Sequence, residues 1–256
     1  MCIVWLLAAT AYAATPAAAI TAYHAGNYLQ SAVQSESEGS AAALAFAAQA
    51  LIADAITRKE GFCVACLERA QAKAEQAIEL DPQLIDGYIQ RAVAIGFRGR
   101  AIGISEARSE GLAEKARESL DKAIVLDRAN IWARASLGAW HLEIVHHAGP
   151  ILAEFSYGAS RSQGLKLYRE ALAEAPNIAI LHFHYALSLL ALDQAEYQAE
   201  AQRALTQALS VRTNDALTLY CQAQAKLVLE AALSGSLAEQ TLLVQRFQGY
   251  PDQPQN

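Results

Sequence analysis

The stretch Ala70-Gln71-Ala72-Lys73-Ala74-Glu75-Gln76-Ala77-Ile78-Glu79-Leu80-Asp81-Pro82 decides the fold class. Ala70, Ala74 and Ala77 recur at i, i+4 and i+7, the spacing that gathers side chains on one face of an α-helix. Pro82 cannot continue a helix and stops it. A face of such small residues lets a neighbouring helix come close. Three further segments end in the same way: Ala123-Ile124-Val125-Leu126-Asp127-Arg128, Ala171-Leu172-Ala173-Glu174-Ala175-Pro176 and Ala208-Leu209-Ser210-Val211-Arg212. Their first alanines follow one another after 46, 48 and 37 residues. Recurrence over such distances marks a repeat architecture, in which each helix pair buries its apolar face against the next.

Composition agrees with an all-α chain. Alanine makes up more than a fifth of the 256 residues, and 14 glycines and 6 prolines are too few for the closely spaced turns of a β protein. The length suits one or two domains with a substantial core. With 20 basic against 26 acidic residues the net charge is -6, which disfavours a nucleic-acid partner. Helices are expected over 16–25, 28–36, 40–58, 63–80, 84–102, 106–126, 131–147, 159–174, 178–192, 195–210 and 216–233, with a short apolar piece at 237–247. Gly149 and Pro150 are expected to end the 131–147 helix and open a long loop-like insert over 149–160, and the tail from Tyr250 to Asn256 is expected to be disordered.

The chain begins with an uncharged segment, since no Lys, Arg, Asp or Glu precedes Glu36. Its run Cys2-Ile3-Val4-Trp5-Leu6-Leu7-Ala8-Ala9 leads into the small-x-small triplet Ala11-Tyr12-Ala13, the pattern of a cleaved export signal. An apolar first helix of the fold is the alternative. Thr10, Thr15 and Thr21 dilute the segment below the roughly 20 apolar residues that a membrane span needs. The expected organisation is a signal peptide over 1–14, a helical repeat domain over 15–235, and a short helix with its tail over 236–256. No transmembrane segment is expected after cleavage, and the expected location is periplasmic or secreted.

The repeat resembles the tetratricopeptide repeat family, whose second helix carries small residues and whose unit closes with Pro, as at Ala70, Ala74, Ala77 and Pro82. Leu137-Gly138 is similar to the Leu-Gly of a first helix, and Trp132 to its early aromatic. Ala25-Gly26-Asn27-Tyr28 and Asp193-Gln194-Ala195-Glu196-Tyr197 resemble the turn within a repeat, with Ala32 and Ala201 four residues beyond each Tyr. The resemblance spans about residues 20–233. From Asp121 to Asp193 the chain is also similar to the tetratricopeptide-type regulator of microtubule dynamics proteins and their bacterial relatives. Leu137-Gly138-Ala139-Trp140, Phe155-Ser156-Tyr157-Gly158 and Tyr168-Arg169-Glu170-Ala171 carry that likeness. A role with tubulin does not follow for an exported chain. What the resemblance implies is a right-handed superhelical solenoid of antiparallel helix pairs, whose first helices line a concave face suited to peptides or partner proteins.

The expected function is a non-enzymatic scaffold for protein–protein interaction in the bacterial cell envelope, with no cofactor. Tyr88, Arg91, Trp132, Trp140, His141, Glu143, His184 and Tyr185 are expected to line its groove, the aromatics as anchors. The alternative is a small-ligand or metal-binding accessory protein that uses its central histidines, His141, His146, His147, His182 and His184. The stretch His141-Leu142-Glu143-Ile144-Val145-His146 misplaces the glutamate of a zinc-protease helix by one residue. Glu143 and His146 supply one Glu-x-x-His step where a di-iron bundle needs two and two further glutamates. Gly96-Phe97-Arg98-Gly99-Arg100 lacks the Lys-Ser or Lys-Thr of a phosphate loop, and Tyr157-Gly158-Ala159-Ser160-Arg161-Ser162 lacks a nucleophile elbow. Arg91, Arg98 and Arg100 form either a local anion-binding face or a solvated one. Cys63-Val64-Ala65-Cys66 reads as a small disulfide at a helix start, as two buried thiols, or as a redox or metal pair, and Cys221 as a core residue.

Overall fold

The computed structural model describes residues 15–59 and 61–250, so the expected signal over 1–14 and the tail over 251–256 lie outside the described residues. Among the described residues there are thirteen helices and no strand. They are α1 (Ala17–His24), α2 (Tyr28–Glu38), α3 (Ala41–Thr57), α4 (Val64–Leu80), α5 (Ile85–Ile102), α6 (Ile104–Ser109) and α7 (Leu112–Leu126). The second half holds α8 (Ile131–Tyr157), α9 (Arg161–Glu174), α10 (Ala179–Leu192), α11 (Gln194–Ser210), α12 (Ala216–Ser234) and α13 (Leu237–Gln248).

Short polar side chains start several of these helices by accepting the unpaired N–H groups of the first turn. Asn130 Oδ1 takes those of Trp132 and Ala133 at 3.1 and 3.0 Å, Asp193 that of Glu196 at 2.9 Å, and Asp215 that of Thr218 at 2.8 Å. The four alanine-headed segments close α4, α7, α9 and α11. Their alanines, Ala77, Ala123, Ala171 and Ala208, are all 0% exposed, as are Ala70 and Ala74.

Two stretches differ from the sequence reading. The helix expected over 106–126 is broken at Gly111, whose φ of +64° separates α6 from α7. The insert expected as a loop is helical. Gly149 takes φ +74° and ψ 160°, and the chain then turns into helix again at Pro150 and runs on to Tyr157. Proline is well suited to a first helical position, where its missing N–H has no partner to lose.

Helices α3, α5, α8, α10 and α12 touch in succession and form one row. In a second row α4, α7 and α11 each lie across two neighbours of the first, and α9 packs on α8 and touches α10. Rows this close need small residues at the crossings. Between α8 and α9, a Cβ on Gly138 would stand 2.9 Å from the Gly164 carbonyl oxygen, and one on Gly164 would stand 2.7 Å from Leu142.

The first row returns to its start. Helix α12 also touches α1 and α3. His24 Nδ1 meets the Asp215 carboxylate at 2.8 Å, and the Tyr220 hydroxyl donates to the Ile56 carbonyl at 2.9 Å. The inner face therefore surrounds a space, where the sequence reading expects an open concave surface. Helix α13 packs on α10 and α12 beside that space. Tyr250, expected in a disordered tail, is seated within the fold and hydrogen-bonded to Glu143. No helix among the described residues is long and apolar enough to cross a membrane.

Candidate functional site

A partly open cavity of about 810 Å³ lies among α3, α5, α10, α12 and α13. The end of α3 contributes Ile56 and Thr57, and the loop that follows contributes Arg58, Lys59 and Phe62. From α5 come Phe97 and Ala101, one helical turn apart, and from α12 come Tyr220 and Gln224 at the same spacing, with Cys221 between them. Phe183 and His184 enter from α10, Arg246 and Phe247 from α13, and Gly249 and Tyr250 from the chain beyond it. The rings meet edge on or tilted: Phe62 lies 5.5 Å from Phe97, Phe97 lies 6.1 Å from His184, and Phe183 lies 6.4 Å from Phe247. Burial, helped by the charge of Arg100, pulls the His184 imidazole down to about 4, so it is neutral at physiological pH.

Gly249 closes one side of this space. It holds φ +92° directly on the Phe62 ring, where a Cβ would come within 2.1 Å of a ring carbon, so only glycine serves. The loop carrying Phe62 is pinned by a disulfide between Cys63 and Cys66, with an S–S distance of 2.03 Å. Cys63 also caps α4, its Sγ accepting the N–H of Cys66 at 3.2 Å.

Behind Tyr250 lies a polar cluster. Arg100 grips Glu143 with two N–H groups, Nε reaching Oε1 at 2.7 Å, while its guanidinium lies 5.3 Å over the Phe97 ring. The Tyr250 hydroxyl donates to the same Oε1 at 2.8 Å and pairs with Nε2 of His147. Burial pushes the Glu143 carboxyl upward, but the charge and hydrogen bonds of Arg100 outweigh it and hold its pKa below the ordinary carboxylate value. Glu143 thus stays ionised and anchors the end of the chain.

Four of the eight expected groove residues prove to be fasteners between the rows. Arg91 bonds Glu75 at 3.0 Å and Ser119 at 2.6 Å, between α4 and α7. Trp140 is buried under Arg117 and donates its indole N–H to the Ala113 carbonyl at 2.9 Å. His141, 3% exposed, accepts the Ser160 N–H at 3.3 Å. Tyr185 is buried, donates to Glu200 at 2.6 Å and accepts from Arg169 at 3.0 Å. Each pairs a large apolar body with a polar tip, which suits an interhelical seam as well as it suits a groove. Tyr88 is half-buried, with its hydroxyl on the Pro82 carbonyl at 3.1 Å, and Trp132 is 39% exposed. Of the eight, His184 lines the cavity wall and Glu143 lies behind Tyr250.

The central histidines scatter. His182 Nε2 bonds the Pro176 carbonyl at 2.9 Å, while His146 and His147 stand ring to ring at 4.5 Å on the exposed side of α8. Among the described residues no group of three or more His, Cys, Asp or Glu side chains is placed to hold a metal ion. Phe62, Phe183, Tyr220 and Phe247, which build the cavity, were not among the expected site residues. The i, i+4 pairs 97/101 and 220/224 were legible, but no local signal says that those faces turn inward.

Fold and site define an all-helical protein of two packed helical rows around an aromatic cavity with basic residues in its wall. No family model matches the sequence, and no curated protein is similar to it.

Proposed function

We propose that the chain is a non-enzymatic, tetratricopeptide-like binding protein of the bacterial periplasm that holds a small ligand in the cavity lined by its inner row and α13. The cavity itself carries this reading. Its volume of about 810 Å³ lies in the range of small-molecule sites, about 300–1,000 Å³, and its wall mixes aromatic rings with polar and basic side chains. In this reading the helix pairs form a right-handed solenoid wound until its two ends meet. The closed Cys63–Cys66 pair supports an oxidising compartment, and the apolar start of the chain supports export. Native mass spectrometry of the chain purified from envelope without detergent tests the reading. A noncovalent small-molecule adduct is expected, diminished in Gln224→Trp, which fills the cavity from a half-buried position. Adduct-free spectra for both proteins would overturn it.

One observation favours the scaffold reading as a second possibility. The helical insert after Gly149 leaves Ile151 84% and Phe155 91% exposed, one turn apart, with Leu152 beside them. An apolar patch of this kind marks a protein-docking surface. A photocrosslinker at position 155 should trap an envelope protein in cells, and Ile151→Asp should abolish the crosslink. A crosslink pattern unchanged by Ile151→Asp would count against it.

A further inference from the structure

The described wall of the cavity in this acidic protein carries three cations. The chain carries a net charge of -6, yet the described lining holds Arg58, Lys59 and Arg246 and no carboxylate. Arg58 is committed to Asp54 at 2.7 Å, whereas Lys59 and Arg246 have no ion-pair partner among the described residues. Contact between Gly249 and Phe62 brings the end of α13 against the loop after α3, the two elements that carry Arg246 and Lys59. Away from them the wall carries the rings of Phe97 and the fully buried Phe183 and the methyl of Ala101, beside the polar tips of His184, Tyr220, Gln224 and Tyr250. Asp54 is paired with Arg58, and Glu143, behind Tyr250, is paired with Arg100, so both carboxylates are offset by an arginine.

We infer that the cavity is a site for a free apolar carboxylate, its charged end at Lys59 and Arg246 and its hydrocarbon chain along Phe97 and Phe183. A polypeptide is a poor occupant, because each buried peptide group would need a hydrogen-bond partner. This inference rests on the small-ligand reading above and adds the chemical class.

Calorimetry on the full chain, stripped of any native adduct, tests it with dodecanoate, dodecan-1-ol, dodecyltrimethylammonium and lysophosphatidylglycerol as probes. Dodecanoate should bind one molecule per chain, about tenfold or more tighter than the alcohol, and the ammonium should not bind. The double variant Lys59→Ala with Arg246→Ala should bring dodecanoate down to the level of the alcohol. Both side chains are exposed, so its melting temperature should match that of the parent. Equal affinity for acid and alcohol, or a double variant that binds dodecanoate as the parent does, would overturn the anion assignment and leave the small-ligand reading intact. Lysophosphatidylglycerol binding with dodecanoate inert would move the charge to a lipid headgroup and overturn the free carboxylate. Failure of every probe overturns the inference, and the presence or absence of the native adduct then decides the broader reading separately.

Discussion

His141 shows how a single residue ties stability to pH. Burial holds its imidazole down to about 4, reinforced by Arg117 and opposed by Asp121. An unfolded histidine titrates near 6.5. Between those values the unfolded chain binds more protons, so the contribution of His141 is present above about 6.5 and is lost as pH falls toward 4. Moving from pH 7 to pH 5 should cost about 2 kcal/mol at this residue, read as a fall in urea midpoint, and His141→Asn, which keeps an acceptor for the Ser160 N–H, should remove that share of the fall and leave the share of His184. The Arg100–Glu143–Tyr250 cluster makes a second test. Arg100→Met leaves the Glu143 carboxylate without its ion-pair partner and should destabilise by up to about 3–5 kcal/mol, whereas Tyr250→Phe removes only the hydroxyl's hydrogen bonds to Glu143 and His147 and should cost about 1–3 kcal/mol. A larger loss for Tyr250→Phe than for Arg100→Met would contradict this assignment of roles.

Helices α8 and α9 meet through glycines, with the Gly138 and Gly164 backbones in direct contact. Gly138→Ala and Gly164→Ala should each destabilise by about 1–3 kcal/mol in denaturant unfolding, because the new methyl group meets backbone at 138 and the Leu142 side chain at 164. At Gly96, where nothing lies within 4 Å, alanine should be neutral or slightly stabilising. The helices themselves were legible in the sequence, since alanine periodicity and capping residues act within a few positions of one another. Less legible were the break at Gly111 and the return to helix after Gly149. There a glycine dihedral, φ +64° at one and φ +74° at the other, decides whether the chain ends a helix or bends and resumes it.

In the whole molecule, closure of the inner row and the seat of α13 create the cavity together. Removing residues 237–256 should leave α1 to α12 folded, with far-UV circular dichroism lower only by the missing helix. It should also uncover the Phe183 side of the cavity, visible as increased binding of an apolar dye and loss of any bound ligand. Retention of the ligand by the shortened chain would show that α13 is dispensable for the site.

Sequence alone determined the helical class, the pairing of helices through buried alanines and the positions of most helix ends, because these depend on contacts within one or two turns. It did not determine which aromatic residues face inward. Trp140 and Tyr185 carry the same amphipathic chemistry as Tyr220, yet the first two fasten one row to the other and the third lines the cavity. Only tertiary structure decided that, along with the closure of α12 on α1 and α3 and the place of Tyr250 on Glu143. The physical reason is summation: whether α12 reaches α1 and α3 depends on the packing of all the helices between them together, which no single motif encodes.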